Sequence, residues 1–320
     1  MNTKSPVYSA SISGRVVLNM HSLNNEGGEG NQIATRMVNV VYRERTSGEH
    51  RLATVNAISG DMFKHIQAEH LYLLARGRVP LCQGCQKFSA SRILDDAEFM
   101  SKLPPQDSAV VEALLRRCAL DDLEGNLIAK GARSVPRKSV AEFGWVLGVP
   151  EHVTTESYFH VRYATERGQQ EAESQQQAIF HRPASSGVYA IVANFEIARI
   201  GFNDISQCYA VTEEEREQRY RLLMESVCCT FIQPNGAMRS TQNPHLVEFQ
   251  GVVTITNQVM PAPTLSPLDA NYREELERVV QALNRLRPGA IVMHRFDSMG
   301  QFAELMQNVI EDTRPYQLAQ

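Results

Sequence analysis

No apolar run in this 320-residue chain approaches the length that a membrane span needs, about 20 residues. The opening Met1-Asn2-Thr3-Lys4-Ser5-Pro6 lacks the apolar core of a secretory signal, so a cytoplasmic address with no membrane partner is expected. Cysteine is scarce: six residues, irregularly spaced and with Cys228 next to Cys229, do not make a disulfide framework. Charge of one sign is also missing. With 32 Lys and Arg against 36 Asp and Glu, the net charge is −4, which argues against a protein that coats nucleic acid through bulk charge. There is no dinucleotide fingerprint, no hydrolase elbow and no kinase signature. Nine histidines are present, yet no motif sets a nucleophile beside a base.

What is there is concentrated between Ser11 and His70. Ser11–Met20 alternates apolar and polar residues as a half-buried strand does. His21–Asn31 follows with almost no apolar content, then a second strand at Met37–Tyr42 and a turn into a helix at Ile58–His65. From Gly30 to Arg92 the chain has nine Lys and Arg against four Asp and Glu, so a locally basic groove can sit on an acidic body.

Further along, Ala97–Pro105 and Ser108–Leu120 read as helices around Pro104-Pro105, and Asp122–Leu127 as a turn into an extended segment. Thr155–Tyr163 alternates like a strand. Ala164–Gln177 has no large apolar residue and cannot join a core. Val188–Ile197 reads as a central strand, because its alternation nearly vanishes. Thr212–Met224 is a helix with a capping box at Thr212 and Glu215. Val227–Ile232 and Leu246–Thr256 read as strands, Tyr272–Arg287 and Gln301–Ile310 as helices. The order fits an α+β fold: a four-stranded antiparallel sheet backed by helices, of ferredoxin or RRM type.

Five constellations could carry chemistry. In the loop 21–36, glycines allow close backbone approach, Asn24, Asn25, Asn31 and Gln32 supply amide donors, and Arg36 can fork onto a phosphate. Lys64 and His65 open a helix whose first turn favours anions. Arg239, Ser240 and Thr241 lie in a loop between two apolar segments and suit phosphate and 2′-hydroxyl. Tyr158–Arg182 reads as two arms around a polar tip, and such a hairpin must lean on a partner. Cys82-x-x-Cys85 is half a zinc site, which His65 or His70 could complete after a chain reversal; the ligand set to test is Cys82, Cys85 and His70. Each has a plainer alternative: a flexible connection, a solvated cation, a linker, or a pair of turn cysteines.

The chain resembles the backbone subunit of type I CRISPR surveillance (Cascade) complexes, in the DevR autoregulator branch. The phrases that carry the resemblance are "ISGRVVLNMHSLNNEGGEGNQIATRMV" (12–38), "ISGDMFKHIQAEHL" (58–71), "LCQGC" (81–85), "CALDDLEGNL" (118–127), "FHRPASSGVYAIV" (180–192), "ARIGFND" (198–204) and "NGAMRSTQNPH" (235–245). The resemblance implies one RRM-like palm over 1–320, a helical finger insertion over 61–150 and a thumb-like hairpin over 155–183. It places loop 21–36, Lys64, His65 and the Arg239 loop against guide RNA, and it makes the hairpin a wedge between guide bases that also touches the next subunit. Related type III backbone subunits cut target RNA with an aspartate in the glycine-rich loop. Met20–Arg36 holds Glu26 and Glu29 but no aspartate, so a non-catalytic subunit is expected rather than an enzyme. Its partners would be CRISPR RNA, target DNA through the guide, copies of itself, and the capping, large and small Cascade subunits in a prokaryotic cytoplasm. No cofactor is required by that role; zinc is what the cysteine pair would take. The alternatives are a metal-dependent ribonuclease of the type III kind and a transcriptional autoregulator.

Overall fold

The computed structural model describes residues 4–44, 46–162 and 178–319. Its centre is the strand Ser9–His21, paired antiparallel with Ala178–Phe195 on one side and with His245–Thr256 on the other. The strand's two faces have different partners. Ala10, Ile12, Val16 and Leu18 enter the main apolar core. Ser9, Ser11 and Ser13 face away, and their small hydroxyls let an extended segment cross the sheet. Ser11 Oγ donates to Pro263 O at 2.7 Å, and Ser13 Oγ accepts the Leu265 amide at 3.3 Å.

Chain order explains the architecture. Ser9–His21 leads to the helix Gly60–Ala75, then to Ala141–Phe143 and the long strand Val146–Arg162. Ala178–Phe195 returns beside them, and the helix Glu213–Ile232 leads to His245–Thr256. This is a βαββαβ unit with the strand order of a ferredoxin or RRM sheet, fourth, first, third, second. The hairpin of Met37–Arg43 and His50–Ile58 extends one edge, and Ile291–Phe296 extends the other. The α+β sheet expected from the sequence is therefore the one observed.

Both crossover helices pack on the same face. Gln67 Nε2 donates to Ser226 Oγ at 2.8 Å between them, and the Phe63 and Phe231 rings meet edge to face at 5.6 Å. Phe231, Phe249, Phe296 and Phe302 then form one aromatic cluster. The expected capping box is present: Thr212 Oγ1 accepts the Glu215 amide while Glu215 accepts the Thr212 amide. The expected strand Val227–Ile232 is a correction, because the helix runs on through it. Val227, Thr230 and Phe231 fall on one helical face and bury against the sheet, so packing overrides the β-preference of branched and aromatic residues.

The region expected as an insertion (61–150) begins with the helix Gly60–Ala75 of the βαββαβ unit. Beyond it lie Gln83–Gln86, Ala97–Ser101, Asp107–Arg117 and Ala119–Glu124, all helical, and the hairpin of Asn126–Lys130 and Arg133–Arg137. A buried ionic joint fastens this region down. Asp122 pairs with Arg137 and with Arg219 of the second crossover helix, each at 2.7 Å, and accepts the Gly201 amide at 2.9 Å. The turn expected at Asp122–Leu127 begins as the end of the helix Ala119–Glu124, and the extended segment expected after it is the strand Asn126–Lys130. The polar tip Ala164–Gln177 lies outside the described residues. No helix among the described residues is long and apolar enough to cross a membrane.

Candidate nucleic-acid interface

The glycine-rich segment is a small hairpin, Asn25–Glu29 against Gln32–Thr35. Asn24 anchors it. This side chain is buried, and its Oδ1 accepts the amide of Ser59 at 2.7 Å. Its carbonyl accepts the Arg36 amide at 3.1 Å, so Asn24 ties the hairpin base to the N-cap of the first crossover helix. Asn25 accepts a hydrogen bond from Ser22 Oγ at 2.7 Å. Asn31 and Gln32 are exposed, and Arg36 is half-buried, paired with Glu26 at 2.6 Å beneath the Trp145 ring.

The segment Asn235–Gln242 docks on that hairpin base. The Ala237 amide donates to Leu23 O at 3.1 Å, and a Cβ on Gly236 would lie 2.7 Å from Leu23 Cδ2, which leaves room only for glycine. Gln242 Nε2 reaches Pro183 O at 3.1 Å, and Arg182 Nη1 donates to Thr241 Oγ1 at 3.0 Å. The hairpin meets the same arm, since the His181 amide donates to Asn31 O at 2.8 Å. Two of the segments singled out in the sequence, and the root of the expected thumb, therefore converge. Ser240 and Thr241 are exposed there. Among the described residues no carboxylate pairs with Arg182 or Arg239; Arg239 meets only Asn243 Oδ1, at 3.3 Å.

The arm adds a feature missed in the sequence. His160 and Phe180 stack across the two strands with centroids 5.6 Å apart, Phe159 meets His181 edge to face, and the Arg182 guanidinium lies 4.7 Å over Phe180. Phe159 is 59% exposed, far more than an ordinary structural aromatic. Such rings are platforms for unstacked bases. The signal was available: Tyr158-Phe159-His160 and Phe180-His181 are aromatic runs in antiparallel register.

Lys64 and His65 are not brought to this cluster. They line a separate cleft of about 340 Å³ with Arg92, Phe88 and Glu124. Lys64 Nζ donates to Glu124 O at 2.9 Å, and burial holds its pKa below the usual lysine range. Burial likewise raises the Glu124 carboxyl, against the pull of Lys64 and Arg92. At the end of the strand Ser9–His21, His21 is buried against Tyr189, its two ring nitrogens have no hydrogen-bond partner among the described residues, and burial lowers its pKa to about 4.

Cys82 and Cys85 are buried, but the expected third ligand His70 is not beside them. Its Nε2 lies 2.9 Å from Gln233 O, on the helix face that looks toward the second crossover helix. The chain reversal after Ala75 instead carries the cysteine pair to Cys118 and Asp121. These residues can hold a metal ion.

A family model described as "CRISPR-associated negative auto-regulator DevR/Csa2" matches residues 12–277. The chain belongs to the DevR/Csa2 family. No curated protein matches it. Its fold is similar to that of a chain in a "CRISPR RNA-guided surveillance complex, pre-nicking", at 14% identity and a TM-score of 0.51, over 94% of this chain and 99% of that one. At this identity the likeness is one of fold. A chain of a second "CRISPR RNA-guided surveillance complex" gives 12% identity and 0.46 over 93% and 98%, and the crystal structure of Thermofilum pendens Csc2 gives 12% and 0.37 over 95% and 86%. The DevR assignment and the RRM-like sheet, both expected from the sequence, are borne out.

Proposed function

We propose that this DevR/Csa2 chain is a non-catalytic guide-RNA scaffold. Several copies line one CRISPR RNA in a type I surveillance complex, beside capping, large and small subunits. Each copy holds a short run of nucleotides by phosphate and ribose, leaving base edges free for target DNA. Protein then reads shape while pairing reads sequence. The observation that supports this most is the convergence at the sheet's end of a glycine-rich hairpin, the Arg239 loop and an aromatic arm around two guanidiniums that have no carboxylate partner among the described residues. Those groups suit a ribose-phosphate chain, and the exposed ring of Phe159 suits a splayed base. Asn25, Asn31, Gln32, Arg36, Arg239, Ser240 and Thr241 are the contacts in this reading; Asn24 acts as anchor, and Lys64 with His65 belongs to the neighbouring cleft. The thumb-like hairpin over 155–183 would interrupt guide stacking and reach the next copy. Any metal at the cysteine cluster is structural and takes no part in binding.

Sequencing the RNA that co-purifies with the protein tests the role. Repeat-derived fragments of uniform length are expected, and random cellular RNA would overturn it. Incubation of the assembled complex with complementary RNA and magnesium should leave that RNA intact; cuts at regular intervals would favour the type III-like ribonuclease. Binding to a duplex carrying its own promoter would favour the autoregulator.

A further inference from the structure

Two adjacent carboxylates of the helix Ala119–Glu124 have opposite surroundings. Asp122 is neutralised by Arg137 and Arg219. Asp121 is equally buried, and among the described residues no lysine or arginine pairs with it. A buried carboxylate without a cation is costly. Around it stand Cys82, Cys85 and Cys118, all buried and all unbridged. The three sulfurs and a carboxylate oxygen lie within 4.8 Å of one another, the size of a tetrahedral coordination shell.

Local geometry favours a metal over a loose group of thiols. Cys82 caps the short helix Gln83–Gln86, and the Cys85 amide donates to Cys82 Sγ at 3.3 Å, so the x-x turn holds both sulfurs on one side. The cap is tightly packed: a Cβ on Gly84 would meet Arg92 O at 1.9 Å. Ala119 donates its amide to Pro80 O at 2.9 Å, which brings the Cys118 turn against the pair. Asp121 Oδ2 lies 3.3 and 3.4 Å from the sulfurs of Cys82 and Cys85. Its other oxygen accepts from Asn126 Nδ2 at 2.7 Å, an outer partner that fixes the carboxylate's direction.

We infer that Cys82, Cys85, Cys118 and Asp121 form a closed, structural zinc site. Thiolate-rich ligand sets select zinc over magnesium or calcium, and with all four ligands buried there is no open position for substrate. On binding, the three thiols give up their protons to solvent, and the ion becomes the direct cationic partner shared by the thiolates and Asp121. The site clamps the cysteine turn to the helix bearing Asp122 and so holds the insertion's ionic joint in register.

The test is metal analysis and X-ray absorption on the full chain, purified under reducing conditions and dialysed against zinc sulfate. One zinc per chain is expected, with three sulfur neighbours at about 2.3 Å and one oxygen at about 2.0–2.2 Å. Cobalt loading should give the intense visible bands of a tetrahedral thiolate site. His70→Ala should keep its zinc, whereas Cys118→Ser should lose it to a competing chelator more than tenfold more readily, at least what outer partners alone contribute. Less than a tenth of an equivalent of zinc after dialysis would overturn the proposal. So would an imidazole nitrogen in the absorption spectrum, or loss of zinc in His70→Ala but not Cys118→Ser. The wild-type absorption measurement decides the matter even if Cys118→Ser fails to fold.

Discussion

Replacing Asp122 with alanine should unfold the protein more readily than any single change at the RNA-facing loops. Both partners, Arg137 and Arg219, have side chains only 1% exposed, and the carboxylate is fully buried. Its removal has unequal effects. Arg137 keeps Asp204 at 3.1 Å and the carbonyls of Phe202 and Arg199. Arg219 loses its one ion pair among the described residues, and its Nε and Nη2 are already without partners. The Gly201 amide also loses its acceptor. Breaking a buried pair costs about 3–5 kcal/mol, and the uncompensated Arg219 puts this site in that range. At about 2.1 cal/mol/K of unfolding entropy per residue, a chain of this size loses about 1.5 °C of Tm per kcal/mol, so Asp122→Ala should melt about 4–8 °C lower. Asp122→Asn should lie between, since the amide can still accept from Gly201 but carries no charge. Thermal unfolding followed by circular dichroism measures both. An Asp122→Ala protein melting within about 2 °C of the parent would refute the reasoning.

Other predictions concern the interface and pH. Arg239→Ala should weaken binding equally for unrelated guide sequences and lower the salt slope by about 0.7, measured by fluorescence anisotropy across a salt series; a change in preference for one base would refute backbone contact. Phe159→Ala should weaken binding by about 1–3 kcal/mol in the same assay with the salt slope unchanged, because a ring stacks and does not neutralise phosphate. Lys64→Ala should leave the salt slope alone and lower the melting temperature, as its ammonium is committed to Glu124 O. For His21, the folded pKa of about 4 lies below the ordinary 6.5, so the unfolded chain binds the extra proton between these values. Its neutral burial therefore contributes stability that is complete above pH 6.5 and is lost as pH falls toward 4, about 3 kcal/mol in all. His21→Phe should flatten the denaturation profile in that window; an unchanged slope would refute it.

Elements with a local signature were legible in the sequence. The capping box at Thr212 and the apolar face of Tyr272–Leu286 each state their structure within one or two turns of chain. Val227–Ile232 was misread because its residues prefer strands locally and only the sheet beneath them holds the helix. Family phrases proved a mixed guide to the site. "NGAMRSTQNPH" does reach the interface, but "CALDDLEGNL" and "ARIGFND" build the joint around Asp122 and the cysteine cluster.

Within the candidate site, residue type was readable and partnership was not. Spacing along the chain could show that Asn24 and Asn31 belong to one polar loop; it could not show that one is buried on Ser59 and the other exposed. The same limit misassigned His70, five residues past His65, to the cysteines. By itself the sequence determined the elements with a strong local signature, the capping and the supply of polar side chains, since these depend on neighbours a few residues apart. Only the tertiary structure decided which cations keep a free charge, which carboxylate has a counterion, and which distant thiols meet, because burial and Coulomb energy depend on distance in space and not on distance along the chain.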